Sequence, residues 1–480
     1  MKERSALARR KRRRLGRQRG VALILVLGAL TIMTVMLTES QDESAADFAS
    51  ALATRDQLVA EYAAKSAVNL SRLLIAAEPT IRAGIGPILG LLMGGAAPQI
   101  PVWDHANRVL GAFNDKEGNE AFAALAGVDT KAGENLGFDG AGFDLVIVDE
   151  DSMIDVNAPA RGESFSKARL GAQLAGLMAG PQFDALFSSH DADGQFSDRL
   201  AICGAIIDFI DPDQDGDQSF CDPGSMTAQA VAPEDSFYAS LAQPYERKNA
   251  ALDSFQELRR VRGMSEDFWS TFIDPDADDP SKRVVTVWGQ GAINVNTANP
   301  QTILAVVCSN VDVTQTPVCS DPAEAAKFLG AFSMVRSFTK GAPLFGNPDV
   351  FISALKGKGG LFGPILAALG VMPVTFKSDA ELKKQVSTES KVFSIYATGR
   401  VKSGSRLTHT KIHAVVDFRA APPPGVDTRS LEAAAAVADA LGQASGSGAT
   451  PGAGSSAAEA MIQAVMKPSP GGNIVYFRVD

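Results

Sequence analysis

The protein is poor in the residues that most often carry catalysis. It has four His and four Cys among 480 residues. It contains no G-x-S-x-G elbow, no phosphate-binding P-loop and no H-E-x-x-H helix, and the segment GQGAIN lacks the third glycine of a dinucleotide fingerprint. Nucleophilic, nucleotide-dependent and zinc-hydrolase chemistries therefore have no visible foothold. No C-x-x-C is present either, which argues against redox or zinc chemistry. His409 and His413 share at most a strand face, which is thin support for a metal. The formal net charge is -10, which argues against a nucleic-acid binder.

The charge is unevenly placed. Residues 2–19 hold ten Lys or Arg against one Glu, so removing 1–20 takes the net charge from -10 to -19. Val21–Thr38 then contains no charge at all. Eighteen apolar residues are close to the length of a bilayer-spanning helix. The basic cluster before them predicts a cytoplasmic N-terminus and a body on the outer side.

A cleaved secretory signal fits poorly, because the apolar core runs into Glu39, Asp42 and Glu43 with no small-x-small site. An uncleaved anchor and a type IV prepilin-like leader remain. In the second, cleavage follows Gly20 and leaves Val21 as the mature N-terminus. The continuation favours it. From Glu43 to Ala77 there is no Gly or Pro. Phe48, Leu52, Val59, Tyr62, Ser66, Leu70 and Leu73 form one stripe at helical spacing. The reading is a helix of ~55 residues, ~80 Å long, ended by Pro79. Most pilins carry Glu at the fifth mature position; here that position is Leu25. A carboxylate in a bilayer is costly unless it meets a partner.

Beyond the stalk, residues 80–142 read as irregular and Phe143–Ala160 as strand and turn. Residues 163–272 read as mainly helical, with acidic loops. Val284–Trp288 reads as a strand, 300–307 as a helix, and KVFSIYATGRVK and LTHTKIHAVVDFRA as strands. Residues 421–459 are rich in Ala, Gly, Ser and Pro, and GGNIVYFRVD regains strand character. The expected fold class is α+β. A long N-terminal transmembrane and stalk helix packs on an antiparallel sheet, with a mainly α-helical domain inserted. The expected division is a leader at 1–20, a stalk at 21–78, a head at 79–160 and 283–420, an inserted domain at 161–282, a linker at 421–459 and a closing segment at 460–480.

One loop has ligand spacing. Asp211, Asp213, Asp215, Gly216, Asp217 and Asp222 follow the D-x-D-x-D-G pattern in which alternate carboxylates supply oxygens to Ca²⁺. Asp at the twelfth position, where Glu is usual, and the lack of a clear second helix depart from an EF-hand. A solvated acidic loop is the plain alternative. Asp191/Asp193 and the run Asp274, Asp276, Asp278 and Asp279 are lesser candidates. Four Cys outside the cytoplasm suggest two disulfides. Proximity favours Cys203–Cys221 and Cys308–Cys319.

Several ordered segments resemble the K-type minor pseudopilin family (GspK) of type II secretion systems. They are RQRGVALILVLGAL without Glu at the fifth position, AIIDFIDPDQDGD, APEDSFYASLAQPYERKNAALDSFQELRRVRGM, GAINVNTANPQTILAV, and GNPDVFISALKG followed by VFSIYATGRV. The resemblance covers about 15–75 and 143–420. It departs from the family near 80–142, in its longer acidic loops and at 421–459. It implies cleavage between Gly20 and Val21 by the prepilin peptidase and methylation of Val21. It also implies a tip complex with the I-type and J-type minor pseudopilins at the inner-membrane secretion platform, with the bulky domain available to the secretin or to cargo. It implies a calcium site to which Glu234 and Asp235 add ligands, and no enzymatic activity. A type IV pilus minor pilin or adhesin, and a membrane-anchored, calcium-stabilised periplasmic hydrolase, are the competing readings.

Overall fold

The computed structural model describes residues 3–93, 97–114, 118–120, 136–138, 140–190, 194, 196–213, 218–222, 236–241, 243–339, 341–358, 362–422 and 471–480. One helix, α1 (Glu3–Met93), runs through the basic segment, the apolar segment and the stalk. Its part Val21–Gly84 is long and apolar enough to cross a membrane, and the apolar stretch is wholly exposed.

One expectation for this helix fails and a second holds in part. Pro79 does not end it; α1 continues to Met93 through the stretch read as irregular. An interior proline costs a helix ~3 kcal/mol. Tertiary contacts around the proline oppose that cost. Buried Glu78 accepts a hydrogen bond from the Ile100 amide at 2.9 Å, and Arg82 reaches Glu389 at 2.6 Å. The apolar stripe also packs only in part, through Val59 and Leu70. Phe48, Tyr62 and Leu73 are exposed, whereas Ala60, Ala63, Ala64 and Ala67 are fully buried. The sheet takes the small residues because they allow the closest approach.

That sheet has four antiparallel strands in the order β1 (Ala141–Asp149), β2 (Val392–Ser403), β3 (Arg406–Asp417), β4 (Asn473–Val479). The β1–β2 register runs from Ala141↔Val401 to Asp149↔Phe393. Alternate residues Phe393, Ile395, Ala397, Ile412, Ala414 and Val416 share a core with Ala64, Ala67, Val68 and Ile75 of the stalk. Closing strand β4 lies where GGNIVYFRVD predicted a strand. Arg72 of the stalk donates to the Gly471 and Gly472 carbonyls just before it, both at 2.8 Å. Most of the segment read as a linker, 423–459, lies outside the described residues.

Between β1 and β2 lies a helical body. Its helices include α2 (Ser164–Met178), α3 (Arg199–Ile210), α4 (Pro300–Ser309) and α5 (Pro322–Thr339). Of the two cap candidates before Pro300, Thr297 and Asn299, it is Asn299 that caps α4, accepting from the Thr302 amide at 2.7 Å. Helix α5 is an addition to the elements expected from the sequence. The strand expected at Val284–Trp288 shortens to Val285–Thr286, which pairs in parallel with Ile154–Asp155. One hydrophobic core runs from Ile154 to Val386. The boundary expected at 282–283 falls inside that core, because α4 packs on α2.

The tightest contact between stalk and sheet is at Gly399. A Cβ there would stand 1.9 Å from the Ala60 carbonyl oxygen and 2.6 Å from the Ala64 nitrogen. Gly399→Ala must push α1 off the sheet. The expected loss is about 1–3 kcal/mol, read as a lower denaturation midpoint at unchanged m-value.

Candidate functional site

Strand β1 ends in three consecutive acids that are almost completely buried: Asp149, Glu150 and Asp151 are 5%, 3% and 1% exposed. Asp149 caps a 3₁₀ turn by accepting from the Asp151 amide at 2.9 Å. Its other oxygen accepts from the hydroxyls of Thr297, at 2.5 Å, and Ser390. Glu150 accepts from the hydroxyls of Thr286 and Ser394. Asp151 accepts only backbone amides: Gln290 at 3.0 Å on one oxygen, Lys391 at 2.6 Å and Val392 at 3.1 Å on the other. The turn thus ties the end of β1 to the start of β2 and to the 286–297 stretch of the helical body.

Burial drives the electrostatics. It pushes Asp149 well above the usual carboxylate range, and the negative charge of Asp151 adds to the effect. Asp151 is pushed up to about 6 by burial, although its three amide donors favour the charged form. Glu150 is raised for the same reason, burial. In the sequence this stretch reads as ordinary strand and turn. The available signal was four acids, Asp149, Glu150, Asp151 and Asp155, set among Val146, Ile147, Val148, Met153 and Ile154.

The second cluster is the acidic loop after α3. Asp198 caps α3 by accepting from the Ala201 amide at 2.7 Å. The helix then buries Ile202–Ile210 continuously and stops at Asp211-Pro212. Cys203 is bonded to Cys221, and Cys308 to Cys319, so both expected pairs form. The first bond sits against α2 so closely that a Cβ on Gly171 would stand 2.4 Å from the Phe220 carbonyl oxygen. Asp211 is fully buried and Asp213 half-exposed, and both carboxylates lie 2.5 Å from the Lys167 ammonium of α2. Two carboxylates of the predicted ligand set therefore converge on one cation position, which a lysine side chain holds. Asp222 is partly buried at the loop's end; Asp215, Asp217, Glu234 and Asp235 lie outside the described residues.

The lesser acidic run is engaged by neighbouring cations. Asp276 lies 2.7 Å and Asp279 3.5 Å from Lys282, and Asp274 3.3 Å from Arg283. Asp191 and Asp193 are outside the described residues. Among the described residues, no three His, Cys, Asp or Glu side chains are grouped to hold a metal. Gly20 lies within α1, and Val21 and Leu25 are 58% and 68% exposed.

A long apolar-tipped stalk, a four-stranded antiparallel sheet laid on it and a helical body inserted between two of its strands define a pilin-like protein with a large insertion. Residues 164–272 match the family model described as type II secretion system (T2SS), protein K, first domain. Residues 164–272 thus carry a domain similar to that of protein K, in the stretch where the ordered segments suggested it. The match lies in the first half of the inserted body. Among solved structures, the GspK-GspI-GspJ complex from the enterotoxigenic Escherichia coli type 2 secretion system aligns at a TM-score of 0.35 and 16% identity, covering 59% of this chain and 76% of that one. A search of curated proteins finds no match.

The two aspartates of the turn should respond differently to amidation. In Asp149→Asn the amide group faces hydroxyls, which accept as well as donate. Its melting temperature at pH 7 should be kept or raised. In Asp151→Asn one NH₂ must face a backbone N–H, which costs about 1–3 kcal/mol. The pH dependence follows from the raised values. Between about pH 4 and pH 6 the native turn holds protons that the unfolded state has released, so its contribution falls as pH rises. Asp149→Asn should flatten that slope in melts taken from pH 4 to 7; an unchanged slope would contradict the assignment.

Proposed function

We propose that this protein is the tip subunit of a type II secretion pseudopilus, where it starts or caps assembly with I-type and J-type minor pseudopilins. The observation that carries the reading is the protein K domain at 164–272. It sits in a bulky body joined to a stalk whose apolar end is exposed. A body of this size beside the sheet limits how further subunits stack above it. Leu25 in place of the usual pilin Glu suits a subunit with no neighbour ahead of it. The role is structural and non-enzymatic. The orientation is N-terminus cytoplasmic and body periplasmic at the inner membrane, with the secretin or cargo as candidate contacts of the body.

In this reading the prepilin peptidase cuts between Gly20 and Val21, and Val21 is methylated. Intact-mass measurement of the protein produced together with that peptidase should give a product starting at methylated Val21. Retention of residues 1–20 would instead favour a plain anchor.

The loop from Asp211 to Asp222, with Glu234 and Asp235, is proposed to bind Ca²⁺. The donor set is all carboxylate, the hard oxygen chemistry that Ca²⁺ takes. Asp211 and Asp213 already point at one cation position. The bound ion would offset negative charge next to the Cys203–Cys221 bond. A calcium chelator should lower the melting temperature, and re-added Ca²⁺ should restore it. An unchanged melt would sink the calcium claim and leave Lys167 as the loop's cation.

A further inference from the structure

The face of the sheet turned away from the stalk carries a cluster of four rings. Tyr396 of β2 and His413 of β3 stack at 4.1 Å with an interplanar angle of 9°. Tyr476 of β4 lies 5.1 Å from His413, and Trp288 lies 5.5 Å from His413 and 5.4 Å from Tyr476. Trp288 comes from the inserted body, so the rings bridge two parts of the fold. They line a cavity of about 290 Å³ that also receives Arg283 and Lys411.

The charge here is opposite to that of the protein as a whole. Arg283 is largely buried, donates to the Tyr396 hydroxyl at 2.8 Å and sits over the Phe255 ring at 4.3 Å. Asp274, 3.3 Å away, shares its charge. Arg478 at the rim is matched by Asp480 at 2.7 Å. Lys411 is exposed, and its backbone pairs with that of Asp480 at 2.8 and 3.1 Å. His413 adds no charge near neutral pH, because burial and the nearby Arg283 and Arg478 push it down to about 4. The cavity therefore combines an aromatic lining with three cations, Arg283, Lys411 and Arg478, against one acidic residue, Asp480. Cavities with an apolar lining and a few convergent polar groups are the usual form of small-ligand sites, and ~300–1,000 Å³ is their usual size. This one is at the lower limit, with room for a single ring-sized group.

We propose that this cavity is a binding site for an aromatic carboxylate, such as an aromatic residue at the free C-terminus of a peptide, with the ring against Trp288 and Tyr476 and the carboxylate at Lys411. The site does not depend on the pseudopilin reading, since every group that forms it is a feature of this fold. Ring-to-ring contact and a charge-assisted hydrogen bond are each favourable here, and the second requires the anion.

The test is calorimetric titration of the full-length protein in detergent with N-acetyl-phenylalanine and, separately, with its uncharged amide. The acid should bind at least tenfold more tightly than the amide, and its affinity should fall as salt rises. Lys411→Met, a change at an exposed position, should bring the acid down to the level of the amide. Trp288→Ala should weaken both. Equal binding of acid and amide, no binding of either, or unchanged binding by Lys411→Met would each overturn the site.

Discussion

The fold depends on how three adjacent carboxylates are buried at the end of β1. A buried charge is tolerated only when its hydrogen-bond capacity is met. Asp149, Glu150 and Asp151 meet theirs with groups from two distant stretches, 286–297 and 390–394. The second is where the backbone passes from helical body to sheet, and the first belongs to the body. The need to satisfy these oxygens therefore fixes how the insertion is seated on the head. An apolar junction would bury surface equally well, but it would hold the two parts in a less defined orientation. Such specificity has an electrostatic cost, visible in the raised affinity of Asp149 and Asp151 for protons.

A second constraint acts on the other face of the sheet. The stalk meets it through Ala60, Ala63, Ala64 and Ala67, and Gly399 supplies the matching gap in β2. Small residues on both sides bring backbones together here, with Val68 and Ile75 completing the stalk's buried face. Phe48, Tyr62 and Leu73 remain on the outside of the helix. Burial within the subunit and apolar character along the stalk are thus separate properties here. That division suits a helix that must hold its own head and also present apolar surface beyond it.

Much of this was legible in the residues, and the failures have physical causes. The alternation in 392–403 and 406–417 and the apolar block at 21–38 are strong periodic signals, and they place the sheet and the stalk. Asn299-Pro300 marks the start of α4 because capping chemistry is local. The two disulfides follow from short sequence separations. Pro79 misled because local propensity says nothing of Glu78, Ile100, Arg82 and Glu389 holding the helix from outside. The apolar stripe covers only part of the stalk's packing face, because hydrophobicity ranks Phe and Leu above Ala, whereas the sheet selects for size. The 149–151 turn was missed because its partners lie some 140 and 240 residues further along the sequence. Long-range satisfaction of polar groups leaves almost no mark on a local pattern.

The central functional claim is that this subunit occupies a unique position in an assembly and does not repeat along it. Stoichiometry tests that directly. The full-length protein, co-expressed with the I-type and J-type minor pseudopilins and the prepilin peptidase, would be purified from detergent-solubilised membranes and weighed by native mass spectrometry. A tip position predicts a complex with one copy of each of the three subunits. Recovery of this subunit alone, or of assemblies containing many copies of it, would contradict that position.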